Sequence, residues 1–370
     1  MRKAHSFLLL ALACSLATPA LALALKTRNV VLIVSDGLRW QEVFTGADPV
    51  LVDAKNGGNW LDDKEMKRRY WRDDPAERRR VLLPFIWGTV ASQGQIYGNR
   101  AEGSDAHVTN GRWFSYPGYN EMSMGYPNSA INSNYFGLNP GVTVFEWLNN
   151  SPELRGKVAI YGTWKIFDEI FNRPRSHLVM QVGWDAPPAG RGDPANSALL
   201  ARLYNTTTRF DDEDSQDSLL QVTLLDYVRS AHPRVLFVGY GETDNWAHQG
   251  RYDLVLESAQ RMDGFVKELW ETMQAMPEYH DSTTFIITTD HGRGSGPVEW
   301  KEHGVEEKGS GNIWIAVLGP DTPPLGERKH TAAVTQSQIA ATVAAFVGKD
   351  YRKAVPAAAP PLADVLGSHH

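Results

Sequence analysis

Six residues with metal-binding side chains lie in three groups, and each group follows or adjoins an apolar run typical of a buried strand. They are Asp36, then Asp244 with His248, then Asp290 with His291 and His303. Carboxylates together with imidazoles suit borderline divalent ions such as Zn²⁺, and six ligands make two sites of three with room for water or substrate. Two neighbouring ions can hold the attacking and leaving oxygens of a phosphoryl transfer. These residue types therefore predict a two-metal centre for that chemistry.

The local signals differ in specificity. Asp36, followed by glycine, would by itself fit an ordinary Asp-Gly turn. His248 lies four residues after Asp244, so a helical turn would place both on one face. The most specific signal is the Asp-His-Gly sequence at 290–292, directly after an apolar run. His303 is the preferred last ligand because the following glycine permits close backbone approach; His330 is the alternative.

The elements that must position these residues follow from apolar patterning. Predicted strands cover Val30–Val34, Val158–Tyr161, Val235–Tyr240, Phe285–Thr289 and Ile313–Leu318. Predicted helices cover Ser218–Ala231, Tyr252–Met276 and Ala333–Val347. Several of the strands are continuously apolar, which indicates that both of their faces are covered. The alternation predicts an α/β fold in which helices flank a central, mostly parallel sheet, with a small inserted cap or loop region.

The chain of 370 residues is 42% hydrophobic, which is sufficient for a sizeable core. We predict one catalytic domain over residues 25–355, with a surface insertion at about 186–214, where Pro, Gly, Asn, Thr and Asp are frequent. The charged segment Asp62–Arg80 is expected to form an exposed helix or flap. Residues 356–370 are expected to be a poorly structured C-terminal tail.

The N-terminus has the pattern of an export signal. Arg2 and Lys3 precede a short apolar run, and small residues spaced A-x-A follow, which predicts a signal peptide over 1–24, cleaved after Ala22 or Ala24. The run is interrupted before it could span a bilayer, so we predict no transmembrane helix. We expect a periplasmic or secreted protein. Lipoprotein anchoring through Cys14 is the less favoured alternative, because Ala11 stands where that cleavage motif prefers leucine.

Charge and cysteine content restrict the partners. Removing Arg2 and Lys3 from the 37 basic residues leaves 35 against 43 acidic residues, a net charge of −8. Such a chain has no general attraction for nucleic acid, and we predict no nucleic-acid-binding surface. The single cysteine lies within the expected signal peptide, so the mature protein would bind metal through nitrogen and oxygen. The expected partner is a small anionic substrate; the oligomeric state is not indicated.

The ordered motifs VSDG, FSYPGYNEMSMGYPN, DNWAH, TTDHG and KEHG resemble the alkaline phosphatase superfamily, and most closely its type I phosphodiesterase and nucleotide pyrophosphatase branch. The resemblance extends from about Val30 to Val347. It implies two divalent metal ions, with Zn²⁺ favoured. One ion would be held by Asp244, His248 and His303, and the other by Asp36, Asp290 and His291.

The resemblance also implies a nucleophile. The family uses Thr or Ser followed two residues later by Pro, and Ser115-Tyr116-Pro117 fits that frame. We therefore expect Ser115 to form a covalent phosphoseryl intermediate, with Thr109 as the alternative nucleophile. Tyr119 stands where many members have His. That departure affects contacts around the site rather than the nucleophile.

Substrate-binding residues are less sharply indicated. Family members use an Asn about twenty residues after the nucleophile to bind a phosphoryl oxygen, and Asn134 fits slightly better than Asn132. A neutral amide suits diester chemistry, where less charge needs stabilising. Lys165 could add charge for a monoester, although a solvated lysine is the ordinary interpretation. We expect Asp62–Trp71 and Trp164–Phe171 to contact the leaving group.

The favoured function is thus an exported two-metal hydrolase of phosphate esters, preferring diesters or nucleotide-type substrates. The alternatives are a phosphomonoesterase and a phosphonate or sulfate ester hydrolase. Sulfatases of the superfamily require Arg at the position of Tyr119, and its phosphoglycerate mutases carry a large inserted domain for which this chain has little room. An inactive metal-binding envelope scaffold is the non-enzyme alternative, and an intact Ser115 argues against it.

Overall fold

The computed structural model describes residues 25–187, 194–209 and 211–367, so the expected signal peptide 1–24 lies outside the described residues. The strands are β1 (Asn29–Ser35), β2 (Gln95–Tyr97), β3 (Ala106–His107), β4 (Val158–Gly162), β5 (Val179–Val182), β6 (Val235–Tyr240), β7 (Thr283–Thr288), β8 (Ile315–Leu318), β9 (Gly326–Glu327) and β10 (Val334–Thr335).

The α-helices are α1 (Trp40–Thr45), α2 (Ala54–Gly57), α3 (Asp63–Tyr70), α4 (Pro75–Leu82), α5 (Ala91–Gln93), α6 (Ser115–Met124), α7 (Val144–Asn149), α8 (Phe167–Ile170), α9 (Arg173–Ser176), α10 (Pro194–Thr206), α11 (Asp217–Ala231), α12 (Glu242–His248), α13 (Tyr252–Gln274), α14 (Gln338–Phe346) and α15 (Tyr351–Ala354). A π-helix spans Ile86–Val90, and 3₁₀ helices span Arg100–Glu102, Glu299–Lys301 and Ala363–Val365. None of the helices in the described part of the chain combines the length and apolarity needed to span a bilayer.

An eight-stranded sheet with the order β5-β4-β6-β1-β7-β8-β2-β9 forms the centre of the molecule. The strands from β5 to β7 in this order are parallel, and β8 runs antiparallel to both of its neighbours. The predicted α/β fold with a mostly parallel sheet is confirmed. All five predicted strands are present. The sheet also contains β2, β5 and β9, which have two to four residues and were not predicted.

Both faces of the sheet are covered, which explains the continuous apolar runs. Along β1, Val31 and Ile33 face one core, which includes buried side chains of α11 and α13. Val30, Leu32 and Val34 face a second core, which includes side chains of α6, α7 and α14. Because each residue of the strand is buried on one side or the other, no polar alternation survives in the sequence.

The register of the three central strands brings their carboxyl ends to one edge. Ser35 pairs with Tyr240 of β6, and Val34 pairs with Thr288 of β7. The residues that follow these strands therefore emerge at the same level. Ligand sites of open α/β sheets lie at this edge.

Of two peripheral segments, the C-terminal one differs from expectation and the segment 62–80 agrees with it. The tail was expected to be poorly structured, but Leu362, Val365 and Leu366 are buried, and the Leu362 N–H donates to Thr342 Oγ1 over 2.9 Å. That expectation is wrong for residues 356–367, because their few large apolar side chains remove enough surface from water to fix the segment. The segment 62–80 forms α3 and α4, with most of its charged side chains exposed, which agrees with the exposed helix that was expected; Met66 and Tyr70 of α3 are buried against the core.

Candidate active site

The ends of β1, β6 and β7 deliver five of the six predicted ligands. Asp36 directly follows β1, the short helix α12 after β6 carries Asp244 and His248, and the pair at 290–291 follows β7. Gly37 makes the turn after Asp36 with φ +60°, and a Cβ there would lie 2.6 Å from Asp244 Oδ1. The Asp-Gly turn is thus required by the convergence of the strand ends, since any side chain would fill the space between them.

The first cluster consists of Asp36, Asp290 and His291. His291 Nε2 lies 3.3 Å from Asp36 Oδ1 and 3.4 Å from Asp290 Oδ2. The other ring nitrogen, Nδ1, lies 2.8 Å from the Gly292 carbonyl oxygen, which can only accept a hydrogen bond. In the neutral ring Nδ1 therefore carries the proton, and the Nε2 lone pair faces the carboxylates. This is the orientation of a metal-binding histidine.

The second cluster consists of Asp244, His248 and His303. His248 Nε2 lies 3.3 Å from Asp244 Oδ2 and 3.0 Å from His303 Nε2. His303 Nε2 lies 3.9 Å from Asp244 Oδ1. The rings of His303 and His291 stack with centroids 4.0 Å apart, so the two clusters adjoin. Asp244, His303 and His291 also lie close enough to share one ion, which makes His291 the residue nearest to both clusters.

The buried carboxylates of the first cluster lack enough neighbouring positive charge to stabilise their ionised form. Burial, followed by repulsion from Asp244, raises the pKa of Asp36 well above its usual range, and burial followed by Asp36 raises the pKa of Asp290. Asp36 Oδ1 and Asp290 Oδ2 are buried without a hydrogen-bond partner. Unsatisfied buried carboxylate oxygens that face a histidine lone pair are the arrangement a divalent cation would complete. The residues present therefore fit a metal ion.

The second cluster is also suited to a cation. Burial, reinforced by the neighbouring His291, lowers the pKa of His303 to about 2, which keeps its imidazole neutral, the form that binds metal. Burial alone would raise the pKa of Asp244, but Arg293 and then His248 lower it well below its ordinary value. Arg293 forms an ion pair with Asp244 and is itself buried. Sequence patterns did not indicate Arg293, although it lies only two residues after His291.

Ser115 begins α6 and lies against the first cluster. Its Oγ is 3.3 Å from His291 Nε2, and the residue is 6% exposed. The SYPG sequence suits this place, because Pro117 is tolerated in a first helical turn. A Cβ at Gly118 would lie 2.5 Å from the Asp290 carbonyl oxygen, so glycine lets α6 approach the end of β7. The serine hydroxyl is thus held at the metal-binding edge.

The alternatives named from the sequence lie elsewhere. The Thr109 hydroxyl donates to Glu121 Oε1 over 2.6 Å and lies 3.0 Å from Ser337 Oγ, and neither of these partners is a predicted metal ligand. His330 is exposed, and its N–H donates to the Glu102 carbonyl. His330 is absent from the groups of described side chains that lie close enough together to hold an ion. The structure thus brings Ser115 and His303, rather than these alternatives, to the strand edge.

Of the three candidate substrate-binding residues, only one lines the cavity beside Ser115. Asn134 lines a cavity of about 340 Å³ together with Ser115, and its Oδ1 accepts the Tyr116 N–H over 2.9 Å. Asn132 is exposed and does not line this cavity. Lys165 pairs with Asp168 and Asp185 through its Nζ and is also absent from the lining. Asn134 is the candidate that the geometry retains.

The cavity lining also tests the two segments, 62–71 and 164–171, that were expected to contact the leaving group. Trp164 and Phe167 line the cavity, as expected for the segment 164–171. No residue of the segment 62–71 does so, and that expectation is wrong because α3 packs into the core instead. Three acidic residues that the sequence analysis did not single out, Asp211, Glu213 and Asp214, also line the cavity. They lie at the end of the predicted insertion 186–214, of which the structure describes 186–187, 194–209 and 211–214.

Tyr119 supports a predicted metal ligand. Its hydroxyl donates to Asp36 Oδ2 over 2.9 Å, and burial, followed by the charge of Asp36, raises the pKa of Tyr119 well above its usual range. The phenol therefore remains a donor. Its ring packs edge-on against Phe167 and Phe237. The position at which the sequence departs from the motif that it resembles thus holds a residue that orients Asp36.

We expect Tyr119→Phe to weaken zinc binding by about 10–100-fold, because a residue that orients a ligand commonly contributes that much to affinity. Competition with a chromogenic zinc chelator measures the change. Tyr116→Phe is the matched control, since the buried Tyr116 hydroxyl donates to the Gly137 carbonyl over 2.7 Å and touches no ligand. Equal zinc affinity in the two variants would contradict the role of Tyr119.

Comparison with known proteins places the fold. No protein-family model matches the chain, and no curated protein does. Among solved structures, a mutant of the alkaline phosphatase PafA matches with TM-score 0.57 and 9% identity, covering 93% of this chain and 99% of that chain. The phosphonate monoester hydrolase from Silicibacter pomeroyi matches with TM-score 0.54 and 11% identity over 92% and 76%. A putative sulfatase from Bacteroides thetaiotaomicron matches with TM-score 0.56 and 12% identity over 93% and 74%.

These structures share an architecture with the chain across almost its full length. The predicted alkaline phosphatase-like fold is therefore confirmed. Because the matched proteins differ in substrate and the identities are low, the likeness shows the fold alone. Function has to be argued from the site.

Proposed function

We propose that the chain is a metal-dependent hydrolase of phosphate esters in which Ser115 is the nucleophile. The observation that carries the proposal is the position of the Ser115 oxygen, 3.3 Å from His291 Nε2, where two clusters of ligand-type side chains adjoin. A metal ion bound by these side chains would activate the hydroxyl as a nucleophile, whereas a serine in a loop without such neighbours has no comparable activation. An inactive scaffold would not need it.

In this proposal Asp36, Asp290 and His291 hold one divalent ion, and Asp244, His248 and His303 hold the other. Zn²⁺ suits these nitrogen and oxygen ligands best. When bound, the two ions supply the positive charge that stabilises the serine oxyanion and the departing oxygen. Tyr119 fixes the orientation of Asp36, and Arg293 fixes that of Asp244.

The protein side chains then account for both half-reactions. The Ser115 oxygen forms a bond to phosphorus while the bond from phosphorus to the alcohol oxygen breaks; the serine proton passes to water, and the departing oxygen takes a proton from water. In the second half-reaction a water oxygen forms a bond to phosphorus while the bond from phosphorus to the Ser115 oxygen breaks, which releases the phosphate product and restores the serine hydroxyl. Asn134 lines the same cavity, and in this proposal its side-chain amide N–H would donate to a phosphoryl oxygen. The N-terminus of α6, where Ser115 lies, favours the anionic group electrostatically.

The cavity favours diesters over monoesters. A monoester carries more negative charge, and the one lysine suggested for it, Lys165, is instead paired with Asp168 and Asp185. In the described part of the chain no lysine or arginine lines the cavity. A phosphodiester, with one negative charge, needs less compensation. Phosphomonoesterase, phosphonate hydrolase and sulfatase activities are the alternatives.

The test compares the zinc-loaded protein on p-nitrophenyl phosphate, bis-p-nitrophenyl phosphate, p-nitrophenyl sulfate and a phenylphosphonate monoester. We expect the highest kcat/KM on bis-p-nitrophenyl phosphate. A higher value on one of the other compounds would replace the diesterase proposal with the corresponding alternative. Absence of turnover on all four would favour the scaffold.

We also propose that the protein acts in the periplasm or outside the cell, because residues 1–24 have the pattern of a cleaved signal peptide. Mass spectrometry of the exported protein tests this proposal. A mature chain beginning at Leu23 or Leu25 is the expected result, and a chain retaining its first residues would contradict it.

A further inference from the structure

Part of the cavity wall is acidic and aromatic. Asp211, Glu213 and Asp214 line it beside Tyr135 and Trp164. The loop that carries these acids is fixed by Asp211 Oδ1, which accepts the N–H groups of Glu213 and Asp214 over 2.7 Å each. We call these five residues the acidic-aromatic wall.

Contacts join the two kinds of side chain in the acidic-aromatic wall. Glu213 Oε2 lies 3.4 Å from both the Tyr135 hydroxyl and Trp164 Nε1, which act as donors. The backbone of Trp164 also forms an isolated bridge with Asp214. The aromatic rings and the carboxylates are therefore held together at one side of the cavity.

The carboxylates of this wall have no cationic partner among the described residues. The nearby Lys165 pairs with Asp168 and Asp185, and Arg209 pairs with the exposed Asp212. Burial, followed by repulsion from Asp211, raises the pKa of Asp214 well above its ordinary value. Hydrogen-bond donors meet Asp211 and Glu213, but no lysine or arginine of the described chain pairs with the three acidic groups, so this side of the cavity attracts a positive charge.

A separate observation points to a ligand in the same place. Thr163 lines the cavity and is 1% exposed, yet its hydroxyl has no hydrogen-bond partner in the described structure. A Cβ on Gly241 would lie 2.7 Å from Thr163 Oγ1 and 3.6 Å from Asp214 Oδ1. Glycine thus lets the backbone at Gly241 approach a buried, unsatisfied hydroxyl and an acidic group at this side of the cavity. Buried hydroxyls are normally paired, so a ligand group is expected there.

We propose that the cavity accepts phosphate esters in which an alcohol group carries an ammonium, such as choline or ethanolamine esters. This inference rests on the proposed function and specifies its substrate class. Carboxylates attract an ammonium, and the faces of Tyr135 and Trp164 suit a quaternary one. The same wall repels the additional phosphates of a nucleotide, so nucleotide-type substrates become the less favoured diesters.

The test uses two diesters that differ in one atom. p-Nitrophenyl phosphocholine carries a quaternary nitrogen, and p-nitrophenyl 3,3-dimethylbutyl phosphate carries carbon at the same position; both release p-nitrophenolate. We expect kcat/KM to favour the choline ester about tenfold or more, and the preference to decline with added salt. Equal values would overturn the inference. Hydrolysis of both compounds at equal rates would still support the proposed function, whereas hydrolysis of neither would contradict that function.

Substitutions in the acidic-aromatic wall test whether this wall causes the preference for the choline ester. Asp214→Asn and Glu213→Gln should each reduce the ratio of the two kcat/KM values towards one. Asp212→Asn is the matched control, because it removes the same charge from the same loop but its side chain is 92% exposed and does not line the cavity. A ratio that falls equally in all three variants, or in none, would overturn the assignment to this wall.

A measurement on the unmodified protein avoids dependence on the folding of the variants. Choline should inhibit hydrolysis of bis-p-nitrophenyl phosphate at a concentration about tenfold or more below that required for 3,3-dimethylbutanol, its uncharged analogue. Equal inhibition by the two alcohols would overturn the inference.

Discussion

Replacement of Ser115 by alanine should lower kcat by roughly 10³–10⁶-fold, the range seen when a covalent nucleophile is removed. The physical reason is that the substitution removes the only protein atom proposed to bond to phosphorus. The six ligand side chains are untouched, and we therefore expect two zinc ions per chain, as in the wild type. Turnover of bis-p-nitrophenyl phosphate and elemental analysis provide the two measurements.

Ser123→Ala is the control for this substitution. Ser123 lies in the same helix, is buried, and its hydroxyl has no hydrogen-bond partner in the described structure. The substitution should leave kcat within about twofold of wild type. It removes one buried oxygen atom but no hydrogen bond, so its effect on the structure of the site should be small. Turnover by Ser115→Ala near the wild-type rate would show that another group attacks phosphorus. Loss of zinc from that variant would instead assign Ser115 a structural role in the metal site.

Replacement of His303 by asparagine should remove about one zinc ion per chain and lower kcat/KM by about 10²–10⁴-fold. His303 Nε2 lies 3.0 Å from His248 Nε2 and 3.9 Å from Asp244 Oδ1, so the substitution leaves the second cluster with two of its three proposed ligands. Zinc sites generally need at least three protein ligands to retain their ion. Elemental analysis after gel filtration reports the loss independently of activity.

His330→Asn is the matched control, because it makes the same change at the histidine that sequence reasoning kept as an alternative. His330 is exposed and outside both clusters. We expect this variant to retain two ions and the wild-type kcat/KM. Loss of an ion from His330→Asn, with retention in His303→Asn, would reverse the assignment. Two ions in both variants would exclude both histidines as ligands.

The apolar runs determined the fold to a large extent. A strand buried on both faces must be continuously apolar, and this local requirement is visible at β1, β6 and β7 without any knowledge of their neighbours. The same runs locate the strand ends, and polar residues that directly follow them, such as Asp36 and Asp290, are therefore found by inspection. Short edge strands such as β5 lack this signal, because many different sequences of a few residues can pair with the edge of a sheet.

The amino-acid sequence by itself therefore determined the α/β architecture, the strand ends and the types of side chain available for a metal centre. Only the tertiary structure decided which of these side chains meet: His303 rather than His330, Ser115 rather than Thr109, and Asn134 rather than Asn132. It also revealed the hydroxyl of Tyr119 on Asp36 and the acidic-aromatic wall. The reason is physical. Secondary structure follows from the spacing of nearby residues, whereas contacts between residues far apart in the chain depend on how the helices pack across the sheet.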